Sequence, residues 1–278
     1  MNCTVDEIIV TCISKQLKDG EMVAQGLATP LVAAGYLLAR YTHAPHLYFA
    51  SAIGQGVCRY PAPLGLTCIE NLWLDRSLNN VGFVRAVTEV LPGMRPKEFF
   101  RPAQIDEHGN FNNIAFGKNY LHPRFRLPGT GGIPDVTTFS SDIYLYVPRH
   151  SRVTFTSRLD FKSGLGHDGS RSHGKGPQYL ISDLGQFDFS QGCMRLLSYH
   201  PGTSIAEIQD HTGFELLISP DISPTPWPTD QELKMLREQI DPLGIRRLEL
   251  LSGAERRQLL HDILKQENNQ SGIQRLFN

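Results

Sequence analysis

Charge of one sign is what this sequence most clearly lacks. Lys and Arg total 27 against 28 Asp and Glu, so no global field draws the chain to nucleic acid or to an anionic membrane. No apolar run approaches the length that spans a bilayer. No basic segment followed by a short apolar stretch opens the chain, and a soluble, cytoplasmic protein is expected. Cys3, Cys12, Cys58, Cys68 and Cys193 are odd in number and show neither close pairing nor zinc-ribbon spacing, which argues against a disulfide framework and for reduced, mostly buried thiols. What is present is a hydrophobic content of 40%, enough for a substantial core. The length suits one or two domains, or one open, mainly parallel α/β sheet with helices on both faces.

The most informative stretch is HAPHLYFASAIGQGVC, residues 43–58, where an apolar run breaks off into small residues. Leu47 to Ser51 reads as a buried strand. Before it, Thr29 as N-cap, Pro30 at N1 and the apolar Leu31, Leu37 and Leu38 predict a helix ending near Arg40. Met22 to Ala24, followed by Gly26, predicts an earlier strand. Strand, crossover helix and strand in this order predict a parallel unit. Reactive groups in such sheets lie beyond the carboxyl ends of the strands, which puts Ala52, Ile53 and Gly54 where chemistry is usually done. None of the three is a nucleophile, an acid or a base.

Elsewhere the signals are mostly structural. Thr4 with Glu7, Ser204 with Glu207, and Thr229 with Glu232 have capping-box spacing. A helix is predicted after each, the first with Cys12 on its apolar face and the last carrying Leu233, Leu236 and Ile240 up to Asp241 and Pro242. Ile143 to Val147 predicts a buried strand. Tyr179 to Phe189 predicts a hairpin around Asp183, Leu184 and Gly185. Pro220, Pro224, Pro226 and Pro228 predict a stiff extended connector over 220–229. Ser252 and Glu255 open an amphipathic C-terminal helix with Leu259, Leu260, Ile263 and Leu264 apolar, suited to docking on its own domain or on another subunit.

Three loops bear on chemistry. In PAQIDEHGNFNN, His108, Gly109 and Asn110 supply turn chemistry between extended pieces. In PRFRLPGTGG, Arg124 and Arg126 precede Gly129, Gly131 and Gly132, whose N–H groups can form an anion nest or stabilise an oxyanion; a flexible turn and a solvated basic edge are the bland alternatives. Gly164, Gly166 and Gly169 satisfy G-x-G-x-x-G by spacing alone, with polar residues and Pro177 following where a helix should open, so no nucleotide of the NAD type is inferred. His167 and His173 in the same loop have no ligand partners at metal spacing, and a mobile lid or partner-contact loop is expected there. No metal is expected.

The joint spacing of HAPHLYFASAIG, PAQIDEHGNFNN and HPRFRLPGTGGIPDVTTFS resembles the beta subunit of the glutaconate coenzyme A transferases, within family-one coenzyme A transferases. The resemblance covers residues 6 to about 245 and implies a coenzyme A transferase-like domain over 1–245, followed by a C-terminal helical extension over 246–278. In that family a glutamate stands at the strand end, and an ungapped match from Ala44 and Pro45 puts Ala52 on it, Ile53 on the following serine and Gly54 on the glycine. Gln104, Asp106, Gly109 and Asn110 match the block near the thioester, whereas Arg101 stands where relatives usually have glycine. That guanidinium can pair with an acidic substrate group or point to solvent.

The resemblance further implies a heteromer with an alpha-like chain and a coenzyme A or phosphopantetheine thioester as substrate, with no permanently bound cofactor. It makes the backbone of Gly129, Gly131 and Gly132 an acyl or oxyanion contact, and Arg101, Arg124 and Arg126 candidate substrate contacts. Simple transfer through Ala52 is impossible because a methyl group cannot attack. Cys58 is an alternative nucleophile, although a packing role is preferred. Ser51 points to the opposite face by strand alternation. The expected activity is decarboxylation or hydrolysis of an acyl thioester. A non-catalytic scaffold, and a true transferase whose glutamate comes from the partner, are the alternatives.

Overall fold

The computed structural model describes residues 3–26, 29–51, 56–67, 74–169 and 171–275. Packing divides the chain into two units, Met1–Phe83 with Pro228–Asn278, and Val84–Trp227.

The first unit opens with helix α1 (Val5–Lys15), where Glu7 reaches back to accept the Thr4 N–H at 2.9 Å. The predicted parallel unit follows as β1 (Met22–Gln25), α2 (Pro30–Tyr41) and β2 (Tyr48–Ser51), with β1 and β2 paired from Met22–Tyr48 to Gln25–Ser51. Every residue of α2 from Leu31 to Ala39 is buried, as a helix that is apolar on all sides requires. Strands β3 (Gly56–Cys58) and β4 (Asn79–Asn80) extend this sheet, β3 antiparallel to β2 and β4 antiparallel to β3.

The start of α2 departs from expectation. Thr29 makes no cap, and its buried hydroxyl has no hydrogen-bond partner among the described residues. Glu249, far away in sequence, supplies the acceptor instead, taking the Leu31 N–H at 2.9 Å. A carboxylate suits the positive end of a helix better than a hydroxyl does.

Residues from 228 onward close the unit. The Thr229–Glu232 capping box starts the helix Asp230–Met235, which continues through the wide turn Leu236–Ile240 and buries Leu233, Leu236 and Ile240. The long helix Gly253–Arg275 docks on its own unit: Ile263 packs with Ile245 and Leu248, and Leu64 and Leu66 lie against them. Glu267 fastens this contact by accepting the N–H groups of Leu66 and Thr67 and the Thr67 hydroxyl, each at 2.8 Å. No helix among the described residues is long and apolar enough to cross a membrane.

Arg246, only 4% exposed, ties the two ends of the first unit together. Its guanidinium donates to Asp6 at 2.7 Å, Asp241 at 2.9 Å and Glu7 at 3.2 Å. Arg237 adds a bidentate pair to Glu7 at 2.6 and 2.7 Å. Burial alone would raise the Glu7 carboxyl, but the hydrogen bonds from Arg237 and Thr4 outweigh it and hold the group down to about 2.

The second unit is an open sheet. Its strands β5 (Lys97–Phe100), β10 (Ile143–Val147) and β11 (Pro177–Ser182) are parallel, β12 (Gly185–Ser190) and β13 (Cys193–Tyr199) turn antiparallel, and β14 (Leu217–Pro224) runs parallel to β13. They lie in the order β14-β13-β12-β11-β10-β5. The predicted α/β class holds. Pro220 and Pro224 lie inside β14 rather than in the unpaired connector expected over 220–229. An edge strand tolerates proline because its outer N–H has no ladder partner to lose. Phe100, Leu145, Leu180, Phe187 and Leu196 build the core on one face, with Ile105, Phe111 and Phe155 packed over them.

Two histidines are buried in this unit and both are neutral by their hydrogen bonds. Thr212 donates its hydroxyl to the Ile208 carbonyl, so it accepts from His150 Nε2, and His150 Nδ1 accepts from Ser182. His150 also stacks flat on Phe155, ring centroids 3.5 Å apart. His200 Nε2 donates to the Ser182 carbonyl at 2.9 Å, leaving Nδ1 to accept from Thr225. Burial pushes His150 down from 6.5 to about 3 and His200 down to about 4.

Two outcomes follow for stability. Because both histidines are depressed in the folded state, the unfolded chain binds more protons below 6.5; their contribution is full above pH 6.5 and is lost as the pH falls toward 4. Burial raises Glu98 to about 7 and Asp183 to about 6, which acts in the opposite sense over the same range, so the histidines are read by difference: between pH 6.5 and 4 the thermal midpoint of His150→Gln or His200→Gln should fall less than that of the unsubstituted chain. Arg246→Met removes the guanidinium from buried Asp6 and Asp241 and leaves Glu7 to Arg237 alone; it should cost about 3–5 kcal/mol in denaturant melts, with a smaller loss for the more exposed Arg237→Met.

Candidate functional site

Ala52, Ile53 and Gly54 lie outside the described residues. The strand that leads to them ends at Ser51, in register with Gln25 at the carboxyl end of β1. Gln25 is 8% exposed. It lines a narrow crevice with Ala33, Leu37, Phe49, Ala62 and Leu64. Sequence reasoning passed over this residue; a polar side chain closing an otherwise apolar strand was the signal. Cys58 sits in β3 buried, and desolvation pushes its thiol up to about 12. It is a protonated thiol at neutral pH, which favours packing over nucleophilic attack.

In the second unit Gln104 is a buried strut. It opens β6 (Gln104–Ile105), paired antiparallel with β7 (Phe111–Asn112). Its carbonyl oxygen accepts from Asn112 Nδ2 at 2.7 Å and from the Asp160 N–H at 3.1 Å, and its amide donates to Asp160 Oδ2 at 3.4 Å. Asp160 in turn accepts the Gly117 N–H at 3.0 Å. Gly117 starts the loop of a second hairpin, β8 (Ala115–Phe116) with β9 (Phe125–Arg126). Gln104 therefore positions the segment that carries Arg124 and Arg126.

Asp106 organises the turn between β6 and β7, accepting the N–H groups of His108 and Asn110 and the Asn110 amide. The loop 163–167 is laid against this turn. Gly164 exchanges backbone hydrogen bonds with Phe111, and Gly166 donates to Asn110 Oδ1 at 2.8 Å. A methyl group on Gly164 would sit 2.2 Å from the Phe111 ring, and one on Gly166 would sit 2.2 Å from the His108 carbonyl oxygen. These glycines serve close backbone packing, which explains why their nucleotide-like spacing means nothing. The loop is not a loose lid. Arg171 pins it by donating to the carbonyls of Leu165, Gly166, Thr137 and His173.

Arg101 is half-buried just after β5, and its carbonyl accepts from Asn113 Nδ2 at 3.1 Å. Arg124 and Arg126 are exposed on and beside β9. Downstream, Gly129 and Gly131 have positive φ, and Gly132 precedes the short helix Ile133–Phe139. The N–H groups of Gly129, Gly131 and Gly132 have no acceptor among the described residues, and a Cβ added at Gly129 or Gly131 would meet nothing within 4 Å. The loop thus leaves three backbone donors unengaged among the described residues.

No family model matches the chain. The beta subunit of the glutaconate CoA-transferase of Acidaminococcus fermentans is 30% identical over 259 residues, spanning 87% of this chain and 94% of that protein. The cholesterol ring-cleaving hydrolase IpdB subunit of Rhodococcus jostii is 32% identical over 237 residues, 82% of this chain and 88% of that one. Among solved structures, the decarboxylase AibA/AibB superposes with a TM-score of 0.76 at 30% identity, covering 88% of this chain and 98% of its counterpart. The chain belongs to the family-one coenzyme A transferases, among their beta-type subunits.

Replacing Gln104 with Leu leaves the Asp160 N–H and one Asn112 bond without an acceptor, at about 1–3 kcal/mol per stranded group. A lower denaturant midpoint for Gln104→Leu, with Gln104→Glu intermediate, is the expected result.

Proposed function

We propose that this chain is the beta-type subunit of a heteromeric enzyme that decarboxylates or hydrolyses an acyl thioester of coenzyme A, rather than moving the coenzyme between acids. One observation carries this reading: after Ser51, the last residue of β2, the sequence runs Ala52, Ile53, Gly54 and offers no carboxylate. Transfer through a covalent intermediate needs an oxygen nucleophile at that point, and alanine provides none. The relatives support the same direction, since they include a ring-cleaving hydrolase subunit and a decarboxylase as well as a transferase.

The chemistry that survives such a replacement is stabilisation of negative charge on the thioester oxygen. Backbone donors do this, and a side-chain substitution elsewhere does not remove them. The N–H groups of Gly129, Gly131 and Gly132 are the donors proposed to hold an enolate after loss of carbon dioxide, or a tetrahedral oxyanion during hydrolysis. Arg101 is proposed as the partner of an acidic group on the acyl chain. Proton transfer is assigned to the alpha-like subunit, consistent with relatives built from two kinds of chain.

Incubation of the co-purified complex with acyl-coenzyme A, followed by mass spectrometry with and without hydroxylamine, should find no glutamyl thioester on this chain. Carbon dioxide or free acid should form without transfer to an added carboxylic acid. A covalent coenzyme A adduct on this chain, or efficient transfer, would overturn the proposal.

A further inference from the structure

We infer that Cys193 is a modification site, a thiol set beside His108 so that it forms mixed disulfides with low-molecular-weight disulfides; this is independent of the acyl-thioester reading above. The sulfur stands 3.7 Å from His108 Nδ1, and Glu107 Oε1 lies 4.0 Å from Nε2 on the other side of the same ring. Thiol, imidazole and carboxylate in that order are the arrangement that favours the reactive thiolate. All three are in part open to solvent, His108 and Glu107 with 41% and 47% of their side chains exposed and Cys193 half-buried. The interior thiols differ. Burial pushes Cys12 and Cys58 up to about 12 and Cys3 up to about 11, which keeps them protonated and inert at neutral pH.

Backbone contacts fix the pair. Gln191 and Gly192, both with positive φ, make the two-residue turn between β12 and β13, with Ser190 opposite Cys193. This tip is fastened to the β6–β7 turn: the Met194 N–H donates to the Glu107 carbonyl at 2.7 Å, and the His108 N–H donates to Asp106 Oδ1 at 3.0 Å. A carbonyl only accepts, so the 3.1 Å contact of His108 Nδ1 with the Gly192 carbonyl places a proton on Nδ1. That N–H faces the sulfur as well, as a donor to a thiolate. In the imidazolium form Nε2–H faces Glu107, and the ring's charge then has an anion on either side. The other charged groups of these turns are engaged elsewhere. His167 puts Nε2 on the Pro177 carbonyl at 2.6 Å and stacks on Phe189, Asp106 holds Asn110, and Asp188 pairs with Arg195 at 2.6 Å. In the exchange the Cys193 thiolate attacks one sulfur of the disulfide. That S–S bond breaks as a new one forms to Cys193 Sγ, and the other half leaves as a thiolate that takes up the proton the Cys193 thiol gave to solvent.

The test treats the co-purified complex with oxidised glutathione at neutral pH and locates adducts by peptide mass spectrometry, with iodoacetamide giving the rate at each cysteine. One glutathione should appear on Cys193, be removed by dithiothreitol and be absent in Cys193→Ser. Cys193 should alkylate about tenfold or more faster than Cys12 and Cys58. His108→Asn keeps a side-chain N–H for the Gly192 carbonyl but carries no charge; it should slow Cys193 about tenfold at neutral pH, and the difference should vanish above about pH 10, where an unassisted thiol is ionised. Glu107→Gln, which removes only the charge beyond the ring, should slow it by a smaller factor. Unchanged rates in both variants at neutral pH, slowing that persists above about pH 10, or glutathione on the interior cysteines in place of Cys193 would overturn the inference.

Discussion

The first unit depends on one buried cation. Its chain is discontinuous, and Arg246 joins the N-terminal helix to the segment that follows Pro242 by ion pairs with Asp6, Glu7 and Asp241. Three carboxylates removed from water are tolerable only because a planar guanidinium meets them with several directed donors. Glu7 carries two loads, as half of a capping box and as the shared acceptor of Arg237 and Arg246. The same reach from the C-terminal part recurs in Glu249 at the start of α2 and in Glu267 on residues 66 and 67. The strand, helix and strand that lead to Ala52 are therefore held by residues some two hundred positions downstream.

The second unit solves a different problem, which is to display irregular loops without leaving them loose. Gln104, Asn112 and Asp160 form a satisfied polar strut beneath one hairpin, and Asp106 and Asn110 close the turn of another. Arg171 spends its donors on backbone carbonyls that no strand or helix would otherwise engage. Each is a case of buried polar groups that must find partners. Binding segments on so firm a base need little ordering when a ligand arrives.

Much of the fold could be read before any coordinates. The parallel unit β1–α2–β2, the buried strand at Ile143 to Val147 and the capping boxes at Glu7 and Glu232 are where the pattern put them, while at Ser204 only the cap itself forms, its hydroxyl accepting the Glu207 N–H. The site was legible only in part. Gln104 and the glycine loop were singled out, but Gln104 belongs to a network that reaches beyond its own block, through Asn112, to Asp160, which no periodic or motif signal links to it. Gln25 was missed for the opposite reason, since one polar residue at a strand end is invisible to an apolar pattern.

Local chemistry was settled by the sequence alone: a proline in the first turn, a glutamate three residues after a threonine, and alternation along a strand act within a few residues of themselves. Tertiary structure decided everything that required two distant segments to meet. It replaced Thr29 with Glu249 as the cap of α2, turned Gly164 and Gly166 into packing surfaces, drew a proline-rich stretch into an edge strand, and left His150 and His200 neutral in the interior. The reason is common to all four: a buried group's partner and its solvation are properties of where the chain returns to, and no window along the sequence contains both sides of that contact.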